Sequence, residues 1–289
     1  MRGDTRVAGP TPSADRTAGP TPSADRTAVT RPSRARALLA AARTPRRPRL
    51  SPEIALIALS YWIYSMIRNT VPEQVSAAQR NAQWVWDLQN TLGLGFERSV
   101  NHALNSVEWL IVPMNYYYAT LHFAVTLGVL VWVYRTQPGR YAAVRTALFL
   151  TTAAALIGYF LFPLAPPRLF DGAEFVDTVL VHGTWGSLAS DEMAEVSNQY
   201  AAMPSMHIGW SAWCGLVLLL LARPAPVRVL GALYPLATFL VIVATGNHFW
   251  LDAVGGVLCL ALGHTAARRW YGAHPHRLPA VPELSGARP

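Results

Sequence analysis

Two histidines open apolar runs in this chain, and each has neighbours that could make it reactive. The stretch 244–256 reads ATGNHFWLDAVGG and places Asp252 four residues after His248. The stretch 200–209 reads YAAMPSMHIG and places His207 three residues after Pro204. A third stretch, 163–169, reads PLAPPRL and carries one arginine, Arg168, among three prolines. Residues i and i+4 share a helix face, so Asp252 can accept a hydrogen bond from one ring nitrogen of His248. That fixes the tautomer and leaves the other nitrogen as a nucleophile or base. Proline is favoured in the first turn of a helix. His207 then falls beside free backbone N–H groups at the positive end of a helix, a ready anion site. A guanidinium suits bidentate phosphate binding.

Taken singly, each feature has a bland reading: a self-satisfied His–Asp pair, a histidine at a membrane interface, an arginine that snorkels to water. Together they fit phosphoryl transfer through a covalent phosphohistidine. In that chemistry His248 attacks phosphorus, Asp252 orients it and His207 protonates the leaving oxygen. Arg168 and the backbone N–H groups near Ser205 and Met206 bind the phosphate oxygens. Two histidines and an aspartate are the one metal set available there, and Asp252 is committed to His248. Neither a metal nor another cofactor is expected.

Such residues need elements that bring them together. The chain is 289 residues long, 52% hydrophobic and only 14% charged, with a mean hydropathy of +0.23. Soluble domains carry about 25% charged residues, so a membrane protein is expected. A spanning helix needs about 20 mostly apolar residues. Candidates lie at 52–67, 107–134, 142–164, 204–222, 227–245 and 249–267. Residues 71–106 read as one or two amphipathic helices at the membrane interface. The expected fold is an all-α, six-helix membrane bundle over 50–270, with a short cytoplasmic tail over 271–289.

All 24 basic residues are arginine. The absence of lysine excludes lysine nucleophiles and a P-loop lysine. Cytoplasmic flanks carry excess positive charge. Arg135, Arg140 and Arg145 follow the second span, Arg223 and Arg228 the fourth, Arg268, Arg269 and Arg277 the sixth. With six spans these fall on the side of the N-terminal arm, and Arg168, His207 and His248 emerge on the opposite face. This predicts an integral protein of a bacterial plasma membrane with both termini cytoplasmic.

The arm, residues 1–49, repeats the decapeptide GPTPSADRTA at 9–18 and 19–28 and holds 11 Arg against Asp4, Asp15 and Asp25. The other 240 residues hold 13 Arg and 13 acids, so the net charge of +8 belongs to the arm and no nucleic-acid face is expected. Its composition cannot offset chain entropy, and disorder is expected. The basic run 31–49 reads as a topogenic cluster; docking to anionic lipid and an organelle transit peptide are the other readings. Cys214 and Cys259 lie in apolar runs and read as packing residues.

PLAPPRL, PSMH and GNHFWLD, in that order and about 40 residues apart, resemble the three signature motifs of the type 2 phosphatidic acid phosphatase superfamily. The closer likeness is to its inositol phosphorylceramide synthase-like branch, and it covers about residues 52–268. The resemblance implies a six-helix membrane bundle, metal-independent phosphoryl transfer, and for Arg168, His207, His248 and Asp252 the roles given above. Four positions depart from the broad pattern. Leu161 and Leu169 stand for a lysine and a proline of the first motif, Met206 for the glycine of the second, and Ile242 for an arginine of the third. The synthase-like branch tolerates these losses.

The expected substrate is a lipid phosphate, with water or a hydroxyl-bearing lipid or sugar as acceptor. The rival reading is a proton-coupled transporter using the His–Asp pair, which predicts charged residues in mid-span; the polar groups gather instead at helix ends. The acidic segment 171–200 reads as a solvated cap or a polyol contact. His102, His122, His182 and His264 match no motif and read as structural. Gly255 and Gly256 are expected to let the last helix pack closely.

Overall fold

The computed structural model describes Gly9 and residues 48–70, 74–184 and 199–281. Nearly all of the N-terminal arm, including its repeat, lies outside these residues. So do 185–198, with Asp191, Glu192 and Glu195, and 282–289. Every element below belongs to one compact unit, 43–289.

The described chain is helical, with no strand and a single isolated bridge between Leu164 and Ala201. In order come α1 (Leu50–Thr70), α2 (Val75–Thr91), α3 (Glu97–Asn105) and α4 (Glu108–Tyr116). A π-helical turn, Tyr117–Leu121, joins α4 directly to α5 (His122–Thr136). Then follow α6 (Pro138–Leu161), the short α7 (Thr178–Val181), α8 (Met206–Leu221), α9 (Ala225–Ala244) and α10 (Trp250–Tyr271).

Four helical segments are long and apolar enough to cross a membrane: Glu108–Thr136, α6, α9 and α10. The expectation of six spans is met for these four. Helix α8 is apolar but has 16 residues, short of a full crossing. Helix α1 has the length, 21 residues, but is not among the four apolar segments; Glu53 sits in its first turn. Arg145, read from sequence as a loop residue, lies within α6. There it pairs with the buried Glu53 and ties α1 to α6.

Helix α8 is central. It packs against α5, α6, α9 and α10. Trp213, Cys214, Val217 and Leu221 of α8 meet Leu130 and Val133 of α5, Tyr141, Val144 and Leu148 of α6, and Leu260 of α10. Helices α8 and α10 cross closely at Gly256. A Cβ there would lie 2.3 Å from the Ser205 carbonyl oxygen and 3.1 Å from the Gly209 nitrogen. The close packing expected at Gly256 is present, and it sets the first turns of α8 and α10 side by side.

Two helices, α2 and α3, occupy the amphipathic region 71–106. Ala78, Ala82, Val85 and Gln89 form the buried face of α2. The spacing of three and four keeps them on one side of the helix. That face packs on Leu164, Ala165, Phe170 and Phe249. The apolar stripe of α2 therefore covers the segments that carry Arg168 and His248. Burying Phe249 completely contributes about 2 kcal/mol to this packing.

Candidate active site

The turn between α9 and α10 presents His248. Helix α9 stops at Ala244 because Gly246 adopts φ +65°, a left-handed conformation suited to glycine. The N–H groups of Asn247 and His248 both donate to the Ile242 carbonyl, at 3.1 and 3.2 Å, and wind the turn tightly. His248 Nδ1 lies 3.1 Å from Asp252 Oδ2. The same oxygen accepts the Phe249 N–H at 3.0 Å, which caps α10. His248 is 4% exposed, and its Nε2 is buried with no hydrogen-bond partner among the described residues. With Nδ1–H donating to a carboxylate, Nε2 carries the lone pair.

His207 is the second residue of α8, in its first turn as the sequence predicts. Pro204 differs from expectation. It lies before the helix, behind a cis Met203–Pro204 bond, and Ser205 is the cap, its hydroxyl accepting the Ile208 N–H. The Ser205 N–H also differs: it donates to the Asp252 carbonyl at 2.9 Å. It is thus tied to α10 and unavailable to a phosphate in this arrangement. The Met206 N–H, at the first helical position, has no acceptor within the helix. The bond from Ser205 to Asp252 holds the two histidines in register, with ring centroids 5.5 Å apart.

Two residues beside His207 escaped the sequence reading. Tyr118 stacks on it at 4.0 Å and 22°, and His122 meets it edge-on at 4.3 Å. Both come from the junction of the π turn with α5. Such turns are frequent at functional sites. His122, read as structural, therefore joins the cluster. No motif marked it; the run Tyr116–Tyr118 was the available sign.

Arg168 stands on a single 3₁₀ turn, Pro167–Leu169, stiffened by its prolines. Its backbone N–H donates to the Gly246 carbonyl at 2.8 Å. Its side chain donates to Asn247 Oδ1 at 3.0 Å, to Asp177 Oδ2 at 2.9 Å and to Gln199 Oε1 at 3.3 Å. The arginine is thus fixed next to the His248 turn, with an acid in the place an anion would take. Among the described residues of the acidic segment 171–200, Asp177 is the one that reaches it; its other oxygen caps α7.

No local pattern marks the frame behind His248. Glu97, fully buried, accepts from Gln89 Nε2 at 2.6 Å and from the Trp250 N–H at 3.1 Å. Gln89 Oε1 accepts the Leu251 N–H at 3.4 Å. These side chains of α2 and α3 satisfy donors that α10 leaves open at its N-terminus. Burial raises the Glu97 pKa; its hydrogen bonds from Trp250 and Gln89 oppose that, and the nearby Asp252 adds to it. Asn101 donates to the Ala244 and Val176 carbonyls at 2.9 and 3.1 Å and accepts the Val176 N–H at 2.8 Å. It pins the end of α9 to the strap that carries Asp177.

The histidine pair, its aspartate and the arginine thus meet at one end of an apolar helical bundle. The arrangement is suited to holding an oxyanion against a ring nitrogen. A family model of the PAP2 superfamily matches residues 83–266, which include all four residues. The chain belongs to the PAP2 superfamily, whose members are generally phosphatases. No curated protein and no solved structure matches it.

Proposed function

We propose that this chain transfers or hydrolyses the phosphoryl group of a lipid phosphate, with His248 as nucleophile. The observation that carries the reading is the buried His248 ring, held at Nδ1 by Asp252 while Nε2 has no partner among the described residues. Nε2 attacks phosphorus and forms a phosphohistidine. The bond to the leaving oxygen breaks, and His207 gives that oxygen a proton. Water, or a hydroxyl-bearing acceptor, then attacks the phosphohistidine and yields its proton to His207. Phosphate or the new phosphoester leaves, and Nε2 is regenerated. Arg168 and the Met206 N–H bind the phosphoryl oxygens, the arginine exchanging Asp177 for them.

A lipid substrate is supported by an apolar cavity of about 400 Å³ between α1, α5, α6 and α8, lined by Tyr61, Tyr64, Phe123, Leu127 and Trp210. Phe123 and Trp210 both border His122, which touches His207. An alkyl or prenyl chain in this cavity would end one ring away from the proposed acid. Leu161, Leu169, Met206 and Ile242 favour the inositol phosphorylceramide synthase-like branch. The arginine distribution favours six crossings, with α1 and α8 included and the histidines on the non-cytoplasmic face.

The test is detergent-solubilised protein assayed on a panel of lipid phosphates, with and without chelator, beside His248→Ala. Phosphate release or transfer that survives chelation and vanishes in the variant is expected. Full activity in His248→Ala would remove the nucleophile from the scheme.

A further inference from the structure

We propose a second site, at the far end of α10 from His248: a three-histidine site for a divalent transition-metal ion, formed by His264, His274 and His276. One ligand atom from each ring lies within 4.8 Å of the others. His264 Nε2 and His274 Nδ1 make a 3.2 Å hydrogen bond, which a shared ion would replace. Two histidine nitrogens on one tetrahedral zinc ion, each ~2.05 Å from the metal, stand about 3.3 Å from each other. The first pair therefore has the spacing of ligands to a shared ion. His276 stacks on His274 at 5.3 Å and 29°. Its Nδ1 is buried and has no hydrogen-bond partner among the described residues.

The backbone holds the three rings in place. Helix α10 ends at Gly272, whose φ of +73° turns the chain back on itself. A 3₁₀ turn, Pro275–Arg277, follows. The returning tail is anchored on the start of α6, where the Gly139 N–H donates to the Ala280 carbonyl at 2.9 Å and Arg140 donates to the Leu278 carbonyl. His264, Pro275 and His276 close over Val144, Ala147, Trp213 and Leu216. Arg277 and Arg140 lie near His276. Three histidines with one open position suit Zn²⁺, Co²⁺ or Ni²⁺, and the surrounding arginines favour an anion or hydroxide as fourth ligand. The bound ion would join the last helix to its tail, and through the tail to α6. His264 is 16 residues beyond His248 along α10, a rise of ~24 Å, so this site is separate from the histidine pair and independent of the reaction proposed for it.

The experiment uses full-length protein without a polyhistidine tag, stripped with chelator and titrated with ZnCl₂ by calorimetry and with CoCl₂ by visible absorption. One equivalent of metal, a tetrahedral cobalt spectrum and a zinc-dependent rise in Tm are expected. All three should be lost in His276→Ala and in His274→Ala, whose ring is outside the helices. His102→Ala, changed at an exposed ring, should bind as wild type does. Circular dichroism of the stripped variants, unchanged from stripped wild type, separates loss of ligand from loss of fold. The proposal is overturned by absence of stoichiometric binding in the wild type. It is also overturned by unchanged binding in both tail variants, or by binding lost on changing His207 or His248 instead.

Discussion

Asp252 uses one carboxylate oxygen twice: Oδ2 accepts His248 Nδ1 at 3.1 Å and the Phe249 N–H at 3.0 Å. The group that orients the ring is thus the group that caps its helix, so a change at this position moves both. In Asp252→Asn an amide oxygen at the Oδ2 position can keep both bonds but removes the negative charge that supports a positively charged ring, while an amide nitrogen there breaks the cap and, by donating to Nδ1, puts the proton on Nε2. The expected loss in kcat is about 10³–10⁴-fold, with Tm lowered by only a few degrees. Steady-state rates beside a thermal melt check this; a variant within a few-fold of wild type would refute the role given to the Asp252 carboxylate.

Asp177 competes with any anion for Arg168, since its Oδ2 sits 2.9 Å from Nη1. Asp177→Asn keeps an oxygen to cap α7 and removes one negative charge from the site. Free phosphate and orthovanadate should inhibit this variant about fivefold more strongly than wild type, equivalent to ~1 kcal/mol. Arg168→Ala should lose that inhibition. Equal inhibition constants in Asp177→Asn and wild type would count against a phosphate at the guanidinium.

Gly246→Ala tests the turn itself. The φ of +65° costs an L-residue about 1–2 kcal/mol. The new Cβ would also press on Asn101 Nδ2 at 3.3 Å and come into contact with Arg168 Cβ and the Val176 carbonyl, each at 3.4 Å. We expect a lower Tm together with a raised KM, because the Gly246 carbonyl holds the Arg168 N–H and Arg168 is the proposed anion ligand. A KM unchanged while Tm falls would mean that the turn is structural only.

Glu97 gives a pH signature. Its carboxyl is pushed above the ordinary value of 4.5, mainly by burial. The folded state then binds its proton more tightly than the unfolded chain. This contribution to stability is full below pH 4.5 and is lost as pH rises through the folded pKa. Glu97→Gln removes the titration. The difference in Tm, wild type minus variant, should therefore fall as pH rises from 4.5 to neutrality. A flat difference would show that Glu97 does not titrate in that window.

The parts legible in the sequence were those written locally. His248 and Asp252 are one turn apart, and Arg168 sits in a run of prolines. The ends of α6, α8, α9 and α10 fall within about four residues of where hydropathy placed them, and α2 and α3 occupy the amphipathic stretch. The contacts that complete the site are not local. Glu97 reaches the Trp250 N–H across 153 residues and Asn101 reaches Ala244 across 143; neither spacing has a period to read. Tyr118 and His122 face His207 from a turn that hydropathy cannot distinguish from ordinary helix. The Ser205 N–H is taken by a carbonyl of another helix, 47 residues away in sequence, a contact that no local pattern records.

The π turn at Tyr117–Leu121 also has a mechanical meaning. One extra residue in a helix of 3.6 residues per turn advances the side chains by about 100°. Before the turn the helix meets α3, α7 and α9; after it, α6 and α8. A straight helix would keep one stripe of side chains inward along its whole length. This one behaves as two rods in series with a phase offset. A single membrane-length segment can thereby present one surface to the frame of the site and another to its chemistry.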